Sequence, residues 1–541
     1  MKRRISAAVM ALVMLLPAGS CSFRDHTQPI FPEHSDTEDN NGPADDKHGS
    51  LGYTKADIDT VNEQVEQLLD DIKLPDNEDA VKEDIDVLFD SVALAYEAYS
   101  ASHIDYCLDW NSSKAEREYD DCALTYSLVY EAVSYALHHG YNSKDYSALF
   151  ADYIDEDYLE FYTTPSMSLK RLEGYTKVDY ELIDERSDEY YDIYYDDSLS
   201  DDEKSRRCAE IYLDILSEYS TDTFYDYYSR DYTPEEIIAA GKSIRKNLMP
   251  IYDDVIKACY DAPQSTRIYN SNTKPDELFE IIKKYADRIS PEVAESAQRI
   301  IDTGHYRIAK GNNCYTGSLT AELPYSDDAI VYIYCEGDYD DLRTAIHEFG
   351  HYHASRFDDT PIYSVVANDD IAEIQSQAME LLFMQFYDEI YGKKAEAMRL
   401  FNIAGMLLNI EVSFRIGEFE YTVLQNRDTY TADDVLDCYN RIMGAYAKDY
   451  PFYYIDHMFI YPGYYISYGV SALGALEILD DVFNAPQSAA EKYSRFAHIS
   501  STDPDVKLRE ALAENGFSDI LTDEYIDRIY DDIRRYLNSL K

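Results

Sequence analysis

From about Gly52 to the C-terminus, apolar and aromatic side chains recur at three- and four-residue steps, with acidic residues filling most positions between them. That spacing lays the apolar groups along one stripe of a 3.6-residue helix and predicts helices packed side by side. Capping chemistry marks several helix starts. Thr233-Pro234-Glu235-Glu236 supplies a hydroxyl cap, a proline at the first helical position and a glutamate three residues after the cap, and Ser290-Pro291-Glu292 repeats the cap and the proline. The periodic segments between such starts run roughly 20 to 30 residues with little turn chemistry, as antiparallel helices do. No solenoid repeat of fixed period is present. One stretch breaks the helical period: Ile330-Val331-Tyr332-Ile333-Tyr334-Cys335 is β-branched and aromatic and closes on Glu336-Gly337, which predicts a strand. The expected fold is mainly α with one small sheet.

The N-terminus follows another pattern. Lys2, Arg3 and Arg4 precede an apolar run from Ala7 to Leu16 and the small residues Ala18, Gly19 and Ser20, so residues 1–21 are expected to be an export signal. The run is shorter than the about 20 residues a membrane-spanning helix needs. No later stretch looks long and apolar enough either, so no transmembrane span is expected in the mature chain. Cys21 stands where a bacterial lipobox has its lipidated cysteine, although Ala18 occupies the usual leucine position. The expected location is therefore the outer face of a bacterial cell membrane, held by a lipid on Cys21, with simple secretion as the alternative. Residues 22–50, rich in Asp, Asn, Pro and Gly, bury too little apolar surface to fold and are expected to be a disordered tether. His26, His34 and His48 lie in it without fixed spacing. Two helical regions follow, 51–320 and 321–541, the second carrying the chemistry.

Charge narrows the function. The 541 residues hold 48 Lys+Arg against 105 Asp+Glu, a formal net charge of -57, which repels a phosphate backbone and excludes nucleic-acid binding. Gly 20 and Pro 17 are few for this length, which disfavours a turn-rich β fold. The 54 tyrosines suit half-buried helix faces and cleft walls. Behind Cys21, seven cysteines occur without any CxxC pair, so isolated buried thiols are expected, with Cys107–Cys122 the one disulfide considered.

The chemistry sits just after the predicted strand. In Asp340-Asp341-Leu342-Arg343-Thr344-Ala345-Ile346-His347-Glu348-Phe349-Gly350-His351 the aspartates suit a helix start near Asp340. His347 and His351, four apart, then share one face, where two imidazoles can hold a single Zn²⁺. Glu348, rotated about 100° from His347, is placed to act on water as a general base. A catalytic site needs a third protein ligand. Asn368, a good cap, opens a second helix on which Glu373 can face the histidine pair, so Glu373 is the expected third ligand and Glu380 the alternative as ligand or as a group behind one. One zinc per chain is expected.

These residues resemble the catalytic core of the thimet oligopeptidase and oligoendopeptidase F family: the strand, Gly337, Asp341, His347-Glu348-Phe349-Gly350-His351, and then Glu373, Ser376, Gln377 and Glu380 in an ExxSQxxE pattern. His457-Met458-Phe459-Ile460-Tyr461-Pro462-Gly463-Tyr464-Tyr465-Ile466-Ser467-Tyr468 is similar to the family's segment in which a histidine precedes substrate-binding tyrosines. The clear likeness spans about residues 329–473. It implies a large helical zincin-type body with a small sheet beside the active-site helix and a deep substrate channel. It also implies a zinc endopeptidase that cleaves short oligopeptides, with His457, Tyr464 and Tyr468 steadying the oxyanion; Tyr461 and Tyr465 are alternatives for one of the tyrosines. The chain departs from the family at Ala354, where a histidine is common and His353 stands one earlier, and at Gln375, where proline is usual. The competing expectation is a peptide-binding lipoprotein that keeps the scaffold without turnover. The predicted strand, taken as a cleft edge, is expected to pair with extended peptide.

Overall fold

Several helices begin where the sequence supplies a side-chain cap. The computed structural model describes residues 51–153, 180–196, 198–219, 228, 230–268, 273–360, 368–503 and 505–541. The expected export signal, Cys21 and the tether 22–50 lie outside the described residues.

Near the N-terminus, α1 (Ile58–Asp71), α2 (Glu78–Leu108) and α3 (Ser113–Tyr141) pack on one another around a core that includes Leu68, Ile85, Leu88, Val129 and Val133. Ser112 caps α3 by accepting the Ala115 N–H. In α4 (Asp201–Ser217) Ser200 and Glu203 form a capping box, and in α5 (Pro234–Ser243) Thr233 and Glu236 form the box that the sequence announces. Ser290 likewise caps α6 (Pro291–Thr303), which ends on Gly304 at φ +69°.

The sheet holds three strands in the order β1 (Tyr306–Ala309), β3 (Asp328–Tyr334), β2 (Leu319–Leu323). β1 runs parallel to β3, with Tyr306 opposite Val331, and β2 antiparallel to it, with Thr320 opposite Val331 from the other side. The predicted strand is thus the middle one, which corrects the expectation that it is an edge open to peptide. The reason is visible in its side chains: Ile330, Val331, Tyr332 and Ile333 are all fully buried, so both faces are covered and both edges are paired. β2 holds an edge position instead.

After the sheet, α7 (Asp340–Ser355) packs on β3 and on α8 (Asp369–Phe383), α8 packs on α11 (Ile466–Ala475), and α11 packs on the long α9 (Ala395–Asn426). α10 (Ala432–Met443) joins α4 and α9 around a second core of aromatic rings, where Phe419 meets Tyr439 edge to face at 5.1 Å and Tyr439 meets Phe452 at 5.2 Å. Buried tyrosines send their hydroxyls to main-chain carbonyls, Tyr439 to Tyr450 at 2.7 Å and Tyr525 to Leu473 at 2.7 Å. This is one use of the unusual tyrosine content. All seven described cysteines are buried and none is joined to another by a disulfide, so Cys107 and Cys122 are not bonded to each other.

The helical run Asp369–Asn426 is long and apolar enough, by length and composition, to cross a membrane, which amends the expectation that no later stretch qualifies. Its apolar window is 67% buried inside the fold, and the run carries Glu373, Glu411 and Glu420, so it serves as a core helix of this body.

Candidate metal centre

The turn from β3 into α7 is fixed by one carboxylate. Asp341 accepts the N–H groups of Glu336 at 3.0 Å and Gly337 at 2.9 Å, and Gly337 takes φ +91°, a conformation side chains disfavour. With its start anchored, α7 presents His347, Glu348 and His351 to the interior.

The companion helix comes very close. A β-carbon on Gly350 would lie 2.7 Å from the Ser376 α-carbon and 3.1 Å from the Met379 β-carbon, so glycine is what lets α7 and α8 touch backbone to backbone. Gly350→Ala is expected to push the helices apart, costing on the order of 1 to 3 kcal/mol of stability and loosening metal binding together. Thermal melts and a zinc titration would check this, and an unaltered zinc affinity would show that helix spacing does not set the site.

At this crossing three side-chain atoms that could ligate a metal converge. His347 Nε2 lies 3.2 Å from His351 Nε2 and 3.3 Å from Glu373 Oε2, and His351 Nε2 lies 3.9 Å from Glu373 Oε1. Two atoms each ~2.0 to 2.1 Å from a tetrahedral ion sit about 3.3 Å apart, so the observed spacings suit one small divalent ion. Glu373 Oε1 is buried without a hydrogen-bond partner, a costly state for a carboxylate that a cation would relieve. Among the described residues this is the only group of three or more such side chains with metal-binding spacing.

The surroundings orient the ligands. His347 Nδ1 is 2.8 Å from Glu380 Oε1, and Glu380 in turn pairs with Arg343 at 3.2 Å. Holding the proton on Nδ1 leaves Nε2 bare for a metal. Ser376 donates its hydroxyl to Glu373, 3.1 Å from Oε2. Burial alone would depress His347, but the carboxylates of Glu373 and Glu380 outweigh it and lift the imidazole to about 10. Burial takes His351 down to about 3 despite Glu373, with His347 adding to the effect. Glu373 stays below the ordinary carboxylate range in spite of burial because His347 and His351 face it.

Glu348 is fully buried one step along α7, and Thr320 on β2 holds it: the threonine hydroxyl is 2.9 Å from Glu348 Oε2 and 3.0 Å from the Glu348 carbonyl. Thr320 does not stand out in the sequence, where β2 shows only as the five-residue alternation Leu319-Thr320-Ala321-Glu322-Leu323. The two departures from the family pattern have packing roles. Gln375 donates to the carbonyls of Phe496 and Ile499 at 3.0 and 2.8 Å, and His353 bonds Ser296 at 2.8 Å and stacks on Tyr493. Burial keeps His353 neutral, its pKa lowered to about 3.

The structure gathers the remaining expected residues into a second group. His457 bonds Asp456 through Nδ1 at 2.8 Å, stacks on Tyr464 at 5.5 Å, and meets the Tyr468 hydroxyl at 3.3 Å through Nε2. Tyr465 sits edge-on to His457 at 5.7 Å, and Tyr461 packs against Tyr464. All four tyrosines are in this cluster, so it does not choose among them. The link to the metal helix is direct: Gln377, one turn beyond Glu373, donates to Ser471 at 3.0 Å, and Ser471 donates to the Tyr468 carbonyl at 3.2 Å.

The chain matches no protein-family profile and no curated protein sequence. Among solved structures it is similar to PZ peptidase A with an inhibitor (TM-score 0.70, 13% identity, covering 90% of this chain and 98% of that one). It is also similar to a Bacillus anthracis str. Ames protein assigned as oligoendopeptidase F (TM-score 0.66, 14% identity, 92% and 99% covered) and to oligoendopeptidase-F from Enterococcus faecium (TM-score 0.50, 14% identity, 89% and 96% covered). The chain thus has the oligoendopeptidase F fold, mainly helical with a small sheet beside the metal-site helix, as the motifs led one to expect.

Proposed function

We propose that this protein is a zinc metalloendopeptidase that hydrolyses peptide bonds in short unfolded oligopeptides. The observation that carries the reading is the convergence of His347, His351 and Glu373 at coordination spacing with Glu348 on the next position of the same helix. When bound there, Zn²⁺ supplies Lewis acidity, acidifying water towards a pKa of ~7 and polarising a carbonyl.

The chain's own residues do the rest. Glu348 takes the proton from the attacking water and later gives it to the leaving amine, a shuttle worth roughly 10² to 10⁴ in rate. Tyr464 and Tyr468 offer O–H donors for the carbonyl oxygen as it gains charge, and His457, beside the Tyr468 hydroxyl and held by Asp456, orients them. β2, in the edge position, offers main-chain groups to an extended substrate, so affinity comes from backbone contacts and sequence tolerance is broad. From the leader we further propose export with a lipid on Cys21.

Purified without its leader, the protein is expected to carry one zinc per chain and to cleave a quenched peptide library. Chelator should abolish cleavage and added zinc restore it. A zinc-loaded protein that binds library peptides and cuts none would replace the peptidase by the peptide-binding lipoprotein.

A further inference from the structure

The loop that carries the tyrosines is gripped from outside. Its Pro462–Gly463 peptide is held at both ends, because Glu420 on α9 accepts the Gly463 N–H at 2.8 Å and the Tyr228 hydroxyl donates to the Pro462 carbonyl at 3.0 Å. The next peptide is held too. Arg230 donates to the Gly463 carbonyl at 2.8 Å through Nη1 and to the Ser467 hydroxyl, in the first turn of α11, at 2.8 Å through Nη2. Gly463 takes φ +84°, so the loop turns at the point where it is gripped.

The grip is built from buried charge. The Arg230 side chain is 0% exposed, and its Nε lies 3.8 Å from Asp370, which also receives the Tyr232 hydroxyl at 2.8 Å. Asp370 stands three residues before Glu373 on α8. The Arg230 guanidinium lies over the Tyr228 ring at 4.4 Å, and that ring meets Tyr464 at 6.1 Å. One arginine therefore spans from the metal helix to the tyrosine loop. Burying a guanidinium and a carboxylate is expensive unless each is hydrogen-bonded. Here the carboxylate accepts from the Tyr232 hydroxyl, and the guanidinium donates to the Gly463 carbonyl and the Ser467 hydroxyl, in the segment that bears candidate oxyanion donors.

We propose that Arg230, Glu420 and Tyr228 are positioning residues, which fix the Pro462–Tyr464 backbone and so aim Tyr464 and Tyr468 at the substrate carbonyl. The assignment of donors rests on the peptidase reading; the hold on the loop does not.

Hydrogen–deuterium exchange of the zinc-loaded protein tests the hold, and steady-state kinetics on a library peptide test its consequence. Arg230→Lys, which keeps the charge but loses the two-nitrogen fork that reaches Gly463 and Ser467, and Tyr228→Phe, which removes one hydroxyl, are expected to speed exchange across residues 461–468 while leaving α7 and α8 unchanged. The same variants should lose kcat by ~10- to 100-fold, part of what a missing oxyanion donor costs, with KM nearly constant. Glu420→Gln, which retains an acceptor, should recover most of what Glu420→Met loses. In a Tyr464→Phe background the cost of Arg230→Lys should shrink, since both act through one donor. Unchanged exchange in Arg230→Lys and Tyr228→Phe overturns the proposal. So does faster exchange with full kcat. Faster exchange in a protein whose wild type cleaves nothing leaves the grip standing and removes the peptidase reading instead.

Discussion

Glu348→Gln is expected to lower kcat by on the order of 10³-fold or more while zinc content and melting temperature hold. The separation of effects follows from where the carboxylate sits. Glu348 is none of the three converging ligands, so an amide there leaves the 3.2 and 3.3 Å spacings of His347, His351 and Glu373 untouched. Glutamine has the same shape, and its carbonyl oxygen can still accept from Thr320, now 2.9 Å from Oε2. What it cannot do is take a proton from water and return it to an amine. Removing a fully buried carboxylate also removes a desolvation cost, so stability should not fall. Metal analysis, a thermal melt and kcat on one library peptide check the three parts. A variant that cleaves at the wild-type rate would take the base role from Glu348, and one that loses zinc would make it a ligand.

How much of this was legible in the chain depends on the range of the interactions. Capping boxes act within four residues, and the Thr233 and Ser290 starts lie where the sequence puts them. His347 and His351 share a face by helical geometry alone, and the structure brings Glu373 opposite them because Asn368 caps α8 as its side chain suggests, accepting the Ile371 N–H. The strand from Ile330 was legible as a strand but not as the middle one. Its neighbours β1 and β2 have only four and five residues, so the apolar–polar alternation of Leu319-Thr320-Ala321-Glu322-Leu323 is a short signal beside the seven-residue β3. Thr320 was hidden for that reason. Arg230 and Glu420 were hidden by distance along the chain, 233 and 43 residues from Gly463, so nothing local distinguishes them from surface charges. The cysteines gave the plainest agreement, since the described thiols, without paired spacing, turn out to be buried and outside any disulfide.

Glu373→Ala is expected to leave the protein without zinc at stoichiometric metal and without peptidase activity, whereas Glu380→Gln should weaken zinc binding only by about 10- to 100-fold, the usual cost of losing a group behind a ligand. Both are buried glutamates on α8, and both touch His347, so sequence position alone does not rank them. The nitrogen each one meets does. Glu373 Oε2 is 3.3 Å from Nε2, the atom that also faces His351, whereas Glu380 Oε1 is 2.8 Å from Nδ1 on the far side of the ring. A carboxylate on Nδ1 accepts the N–H hydrogen bond and fixes the tautomer; it does not share the ion. Arg343 reinforces this, because a carboxylate already paired with a guanidinium has less charge to give a metal. Competition against a chromophoric chelator would separate the two affinities. Loss of zinc from Glu380→Gln with retention by Glu373→Ala would exchange their roles and place the ion on the opposite face of His347, away from His351. The same titration reads out stability, since an ion bound to the folded state alone raises the melting temperature with its concentration. That rise should be present in Glu348→Gln, reduced in Glu380→Gln and absent in Glu373→Ala.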